Sequence, residues 1–442
     1  MMEKLFQDFN ETGLDEWVDK IYKDLKDKPK ELLTYNPEFD LSVKSFYHRI
    51  EASKGNFPSG RSDNSYGNRR LYQEATNKLI LNDLNEGIDC LGIVYKDQKS
   101  FDTLTKDVQF EYINADVIFD DVIKARSFMG PSSIRLNFDV IAQGLLKGEW
   151  LHSMDEYINF YSDQDQHQTI WVSGSIYGEA GATSSMELAF TANHVNEYVQ
   201  KLTNAGVSLE EINRKLVIEL SVTEDYFANI AKFKLINYII GLVFKAYDPN
   251  YKLQPITVYA KTSSRYLAVN DHNNNLLRQT TMAMSAIIGG CDAITIQTLP
   301  TGNWDKDQVM ERMAKNIPLI LKEESYLDKV ADAAEGAYYI EYLCTQMIRI
   351  AWKLFKEIED KGGLIKCVEE SYIQYNIAKN HDVLLKGVND KKRTFLGVNK
   401  YPSNLEEWQV IPPEEFISGA VFQPLTVFRV ERHFKNELHE QS

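Results

Sequence analysis

The feature that most constrains this chain is a rhythm. From about Gly87, short runs rich in β-branched and aromatic residues alternate with longer stretches whose apolar residues recur at helical spacing. Parallel strands need crossovers a dozen or more residues long, so this alternation is the signature of βα units on a parallel sheet. The runs are IDCLGIVY (88–95), VQFEYI (108–113), SSIRLNF (132–138), TIWVSGS (169–175), KLVIEL (215–220), ITVYAK (256–261) and AITIQT (293–298). They make seven expected strands. GAYYIEYL and TFLGVNKY, both later in the chain, compete for the eighth.

Several connecting helices have legible ends. A pattern over 186–205 closes at Gly206, and Ser208 with Glu211 forms a capping box for the next helix. Another runs over 275–288 and stops at Gly289-Gly290, directly before AITIQT. Spacing of roughly 35 to 45 residues per unit, with eight units, predicts a (β/α)8 barrel in the α/β class. A doubly wound open sheet is the runner-up. The expected organisation is an N-terminal arm over 1–60 with a helix at 14–25, a barrel over 61–402 and a tail over 403–442.

Charge and cysteine usage exclude several classes of function. With 49 Lys and Arg against 64 Asp and Glu, the formal charge is −15, and no basic cluster is interleaved with aromatics. Nucleic acid and anionic membranes are therefore poor partners. Cys90, Cys291, Cys344 and Cys367 are scattered without a C-x-x-C pair, which fits small buried residues in a reducing cytoplasm. The acidic N-terminus lacks a signal-peptide pattern, and no run of about 18 apolar residues occurs, so the expectation is a soluble, unprocessed, cytoplasmic protein.

In such barrels, function sits on the loops after the C-terminal ends of the strands. Asp271-His272, with Glu179 and Asp225 on neighbouring loops, gives a conceivable metal set. The spacing matches no recognised ligand pattern, and Asn273, Asn274 and Asn275 read more simply as turn and capping residues. The eight histidines are dispersed, His433 and His439 in the tail among them. No G-x-S-x-G elbow, P-loop or dinucleotide fingerprint occurs. Gly174 and Gly181 serve equally as anion contacts or as plain turn residues, and Glu323-Glu324 and 357–361 read as solvated helix faces.

Three segments carry a resemblance: SGSIYGEAGATSSMELAFT, KTSSRYLAVNDHNNNLLRQTTMAMSAIIGGCDAITIQT, and ERMAKNIPLILKEESYLDKVADAAEGAYYIEYLCTQMIRIAWKLFKEIEDKGG. In order and spacing they resemble the acyl-CoA-binding barrel of the methylmalonyl-CoA mutase family, over roughly 87–401. The resemblance implies an adenosylcobalamin-dependent isomerase system that interconverts succinyl-CoA and methylmalonyl-CoA by radical rearrangement. The cofactor supplies the radical chemistry, and the barrel positions the thioester and excludes water.

Against the family pattern S-G-Y-H-M-Q-E-A-G-A, this chain reads Ser175, Ile176, Tyr177 and Gly178 where Tyr-His-Met-Gln is required. The family's histidine donates to the thioester carbonyl as negative charge develops there. Isoleucine has no donor. In GGCDAITIQ, Asp292 takes the family's Gln position and Thr295 its His position, and a carboxylate facing an anionic acyl-CoA is unfavourable. Neither Tyr66 nor Tyr72 matches the R-Q-Y-A-G-F substrate loop, and SIRLNFDVIAQGLLKGEW has no counterpart of the substrate-binding Gln and Arg. The cobalt-ligating D-x-H-x-x-G motif occurs nowhere, and about forty residues after Tyr401 are too few for a flavodoxin-like cobalamin domain.

These departures predict a degenerate site at Ser175, Ile176, Tyr177, Gly178, Asp292 and Thr295, with no catalytic, cofactor-binding or metal-binding residue. The expectation is a non-catalytic structural subunit that pairs as a heterodimer with a large subunit bearing the adenosylcobalamin and handling the acyl-CoA. Its arm would wrap that partner, and Ile176 and Tyr177 would fill the lumen. One alternative is the barrel subunit of a related mutase, such as isobutyryl-CoA mutase, with cobalamin on another chain. Another is a free-standing CoA-binding sensor barrel.

Overall fold

Eight parallel strands surrounded by helices make up the computed structural model, which describes residues 13–26, 28–38, 41–48, 57, 61, 63–163, 169–269, 271–300, 304–401 and 419–432. An antiparallel hairpin, β1 (Thr34–Glu38) and β2 (Leu41–Lys44), precedes them. The barrel strands are β3 (Gly67–Tyr72), β4 (Cys90–Val94), β5 (Asn114–Ile118), β6 (Arg135–Asn137), β7 (Ile170–Ser173), β8 (Leu216–Val222), β9 (Thr257–Thr262) and β10 (Ala293–Thr295). Their order is β6-β5-β4-β3-β10-β9-β8-β7, so β3 and β10, the first and last in the chain, pair and close the ring. Only β6 and β7 lie side by side without ladder hydrogen bonds among the described strands. The predicted (β/α)8 barrel is the fold.

Two expected strands are corrected. The eighth strand is neither late candidate: GAYYIEYL enters the helix Tyr338–Asp360, and TFLGVNKY is irregular apart from a bridge between Leu396 and Lys400. It is GNRRLY, β3, at the front of the barrel. The second correction moves VQFEYI. Residues 108–113 lie in a turn, with Val108 N donating to Thr105 O and Phe110 stacked on Phe101 at 6.3 Å, and the strand is NADVI just after it.

Helix ends follow the sequence closely. The helix Ser184–Asn204 closes before Gly206 at φ +91°, Ser208 accepts from Glu211 N to start the next, and His272–Gly289 ends on Gly290 at φ +98°. All four cysteines are free and buried. Among the described residues one helix, Tyr226–Tyr247, is long and apolar enough to cross a membrane by composition, which the run-length criterion on the sequence does not anticipate. It is mostly buried against the helices Ser184–Asn204, His272–Gly289 and Tyr338–Asp360, and its buried Lys232 and Lys234 are ion-paired with Glu187 and Asp332. Those pairings suit a core helix.

Of the expected arm, the helix Leu14–Leu25 forms as read, with none of its residues buried. The hairpin packs on the barrel of its own chain: Leu41 and Val43 are buried, Tyr342 donates to Ser42 O, and Glu38 Oε1 accepts from Ser184 N at 2.6 Å. Residues 1–12, and the tail at 402–418 and 433–442 with His433 and His439, lie outside the described residues.

Side chains alternate across each strand, so the inward set forms layers. Near the N-terminal end, Cys90, Trp171, Val217, Tyr259 and Ala293 make a separate buried apolar cluster. Above it, one residue further along the inward face, the layer turns polar.

Candidate functional site

That polar layer is built around Arg69 on β3. Its guanidinium donates to Asp116 on β5 through two hydrogen bonds, Nε to Oδ1 at 2.8 Å and Nη2 to Oδ2 at 2.7 Å. Nη1 reaches Thr295 Oγ1 at 3.1 Å and Glu219 Oε2 at 3.4 Å, and Asn137 adds a contact to Asp116 at 3.4 Å. Ser175 Oγ donates to Glu219 Oε1 at 2.7 Å, which ties the network to the mouth. Burial opposes the charge on Arg69, but the Asp116 carboxylate, its hydrogen bonds and then Glu219 outweigh it and raise the pKa.

Gly92 on β4 makes room for this plug. A Cβ there would lie 2.5 Å from Leu71 Cδ2 and 2.7 Å from Arg69 Nη2. The guanidinium also lies 5.8 Å from the centroid of Trp171 and 5.3 Å from that of Tyr259, the aromatic floor below it.

The mouth segment after β7 forms a short helix, Ser175–Glu179. Successive helical residues point about 100° apart, so neighbours on so short a turn face different surroundings. Ser175 faces Glu219 in the lumen. Tyr177 is fully buried on the other side, with its hydroxyl 3.2 Å from His194 Nδ1 and its ring 5.4 Å from Phe190. The expectation that Tyr177 fills the lumen is therefore corrected: Arg69 does so. Ile176 is partly buried against the main core and presents no polar atom.

Gly178 is a close-approach position. A Cβ there would sit 1.9 Å from Ser221 Oγ and 2.6 Å from Glu187 Oε2. Glu187 accepts from Ser221 N and Ser221 Oγ, both at 2.7 Å, and from Lys232 Nζ at 2.6 Å. Glu179 accepts from Ser264 Oγ at 2.9 Å; burial raises its pKa, partly offset by the charge of Lys261.

Of the six residues expected to mark the family's site, Ser175 and Thr295 meet through Glu219 and Arg69, while Ile176, Tyr177 and Gly178 share the adjoining turn. Asp292 is not with them. It precedes β10 and so sits on the N-terminal rim, where Oδ2 accepts from Val258 N at 2.7 Å and burial pushes the carboxyl up to about 6. It faces the rim, not an acyl-CoA at the mouth. Tyr66 donates to Pro318 O and Tyr72 to Asp83.

The imagined metal set does not converge. Asp225 caps the helix Tyr226–Tyr247 by accepting from Ala228 N at 3.0 Å, and Asp271 accepts from Asn274 Nδ2 at 2.6 Å. Asp271 makes no capping bond with its side chain; Asn275 instead bonds both N and O of Ala268. Among the described residues, no group of three His, Cys, Asp or Glu is placed to hold a metal ion.

Sequence reading missed a buried cluster at the β6–β7 junction. Asp139 Oδ2 accepts from Ser173 N at 2.7 Å, and Oδ1 accepts from Ala142 N at 3.0 Å, Tyr198 at 2.8 Å and His194 Nε2 at 3.0 Å. Burial would raise the Asp139 pKa, but His194 and the backbone donors lower it. Two histidines near this turn are engaged by the protein: His194 uses both ring nitrogens, and His381 has its Nε2 on Ala180 O at 2.6 Å and its ring stacked on Phe428.

Relatives in sequence carry names from one family. A small subunit of methylmalonyl-CoA mutase from Porphyromonas gingivalis is 29% identical over 445 residues, covering 91% of this chain and 72% of that protein. The large subunit from the same organism is 26% identical over 244 residues, 54% of this chain and 34% of its own length. The methylmalonyl-CoA mutase of Escherichia coli is 29% identical over 246 residues, and the match spans 34% of that protein. The family model for methylmalonyl-CoA mutase matches residues 147–435 and so covers more than half of the sequence. With that match laid over this barrel and this mouth, the chain belongs to the methylmalonyl-CoA mutase family.

Proposed function

We propose that the chain is the non-catalytic, structural subunit of an adenosylcobalamin-dependent methylmalonyl-CoA mutase, paired in the cytoplasm with a large subunit that carries the cofactor and converts the acyl-CoA. The observation that carries this reading is the filled lumen. Arg69 bonds Asp116, Glu219 and Thr295 across the barrel axis, where a catalytic barrel of this family needs room for a thioester.

A second support is chemical. At the position of the family's carbonyl donor stands Ile176, and a hydrocarbon cannot stabilise an oxyanion. The only hydroxyl on the lumen side of that turn, Ser175, is committed to a carboxylate. Two relatives from one organism, named as small and large subunits, support the pairing. The subunit's role is to stabilise its partner, and reducing conditions suit its four free, buried cysteines.

The test is mutase turnover with added adenosylcobalamin and methylmalonyl-CoA. The expected result is no activity from the purified chain alone, and an active one-to-one complex when it is co-expressed with a cobalamin-bearing large subunit. Turnover by this chain with only a separate cobalamin-binding domain would refute the reading and favour the barrel subunit of a related mutase.

A further inference from the structure

At the mouth, five successive carbonyls are all held from outside their own turn. Gly178 O and Ala182 O accept from Arg265 Nη1 at 3.2 and 3.4 Å. Glu179 O accepts from Phe428 N at 2.9 Å, Ala180 O from His381 Nε2 at 2.6 Å, and Gly181 O from Asn380 Nδ2 at 2.7 Å. Carbonyls at the end of a short helix commonly lack partners within it; Gly178 O also accepts from Gly181 N at 3.0 Å, and none of the five is left to solvent. A carbonyl only accepts, so His381 Nε2 carries the proton in this contact.

The donors come from three elements far apart in sequence: the loop after β9, the helix Tyr372–Asn389, and the segment 419–432. That last segment runs as a strap from the far end of the helix Val140–Lys147 up to the mouth. Phe422 N and Val421 N donate to Gly148 O at 3.0 and 2.8 Å, and Leu425 N to Leu145 O at 2.8 Å, at the end of the helix Val140–Lys147. Further on, Val430 N donates to Arg265 O at 3.1 Å, and Glu431 accepts from Val269 N at 2.8 Å. The strap thus fastens to both sides of the turn and touches it between them.

A stacked pair adds to these hydrogen bonds. The His381 and Phe428 rings lie 3.8 Å apart at 11°, directly over Gly181. Gly181 has φ +111°, and a Cβ there would lie 2.1 Å from His381 Nε2, so both the backbone conformation and the close approach require glycine.

We infer that residues 419–432, with Arg265, Asn380 and His381, form a clasp that locks the mouth turn 178–182 as one cooperative unit, so that this side of the barrel mouth moves only when the strap lifts. The clasp is a property of the chain's own packing and stands whether or not the lumen handles a substrate.

Hydrogen exchange of the full chain, read by mass spectrometry on peptides covering 176–183 and 421–431, tests it. Contiguous segments that open together exchange together. In the unmodified chain, strap and turn are expected to exchange at matching rates and with the same dependence on denaturant. Phe428→Ala is expected to speed exchange of the turn at least tenfold while leaving β8 and β9 unchanged. His381→Phe, which keeps a stacking ring and removes the donor, is expected to speed the turn as well. A strap that exchanges at least tenfold faster than the turn in the unmodified chain would overturn the inference, and that comparison needs no variant to fold. A Phe428→Ala chain with unaltered exchange at the turn would overturn it too.

Discussion

Arg69→Ala bears most directly on the filled lumen. The guanidinium makes two short hydrogen bonds to Asp116, one to Thr295 at 3.1 Å and a longer contact to Glu219 at 3.4 Å, with both Arg69 and Asp116 side chains essentially inaccessible. Removing it leaves two carboxylates in the lumen without their cation. Breaking a buried pair by deleting one partner costs about 3–5 kcal/mol, because the surviving charge is neither hydrated nor compensated. Loss of the contact with the Trp171 and Tyr259 faces adds roughly 1 kcal/mol. Domains are commonly stable by about 5–15 kcal/mol, so the loss is a large part of the whole.

The assay is urea denaturation at pH 7, followed by far-UV circular dichroism, on the single variant and on Arg69→Ala/Asp116→Asn. Asparagine keeps the shape and a hydrogen-bonding oxygen but removes one of the two stranded charges. The double variant is therefore expected to be more stable than the single one, despite carrying an extra substitution. Non-additivity of this sign is what neighbouring charges give. A single variant that loses less than about 1 kcal/mol, or a double variant less stable than Arg69→Ala alone, would refute the claim that the lumen is held by a charge-compensated plug.

Two further outcomes follow from the same geometry. Gly178→Ala places a methyl 1.9 Å from Ser221 Oγ, inside a fully buried network, and is expected to cost about 3 kcal/mol or more in thermal or urea unfolding; a cost below about 1 kcal/mol would mean that the Glu187–Ser221–Lys232 network yields freely. Asp292 is held protonated more readily in the fold than in the unfolded chain, up to about 6, chiefly by burial. Its contribution is full below pH about 4 and fades as pH rises through about 6, by at most roughly 3 kcal/mol for a shift of about two units. Asp292→Asn keeps the acceptor for Val258 N and is expected to remove that decline, so that the variant gains on the unmodified chain between pH 4 and pH 7; parallel stability curves would contradict it.

Most of the barrel was legible because most of its strands obey the rule that apolar, β-branched runs are buried. KLVIEL and ITVYAK lie within one or two residues of β8 and β9, and the Ser208–Glu211 capping box and Gly206 end and start helices where the spacing placed them. The two misplaced strands share a cause. GNRRLY and NADVI contribute Arg69 and Asp116 to the lumen, and a charged residue in sequence reads as a surface residue. Only the pairing of the two, 47 positions apart, makes either one an inward residue, and nothing local encodes that pairing. VQFEYI was attractive for the opposite reason, since its apolar residues serve an aromatic cluster under a turn.

The mouth was located correctly but its side chains were assigned to the wrong neighbours. Reading 175–178 against a family pattern treats four residues as one degraded site. In the structure they serve separate ends. Ser175 holds Glu219, Tyr177 meets His194 behind the barrel wall, and Gly178 gives way to Ser221 and Glu187. Ile176 alone has no polar commitment. Placing a histidine at that position would add a donor and leave the surrounding contacts as they are. Arg69 would still cross the lumen, and Gly178 could not become the family's glutamine without displacing a buried ion pair. The departures at the mouth are thus tied to the core by separate contacts, so a change at any one of them is felt in a different part of the barrel.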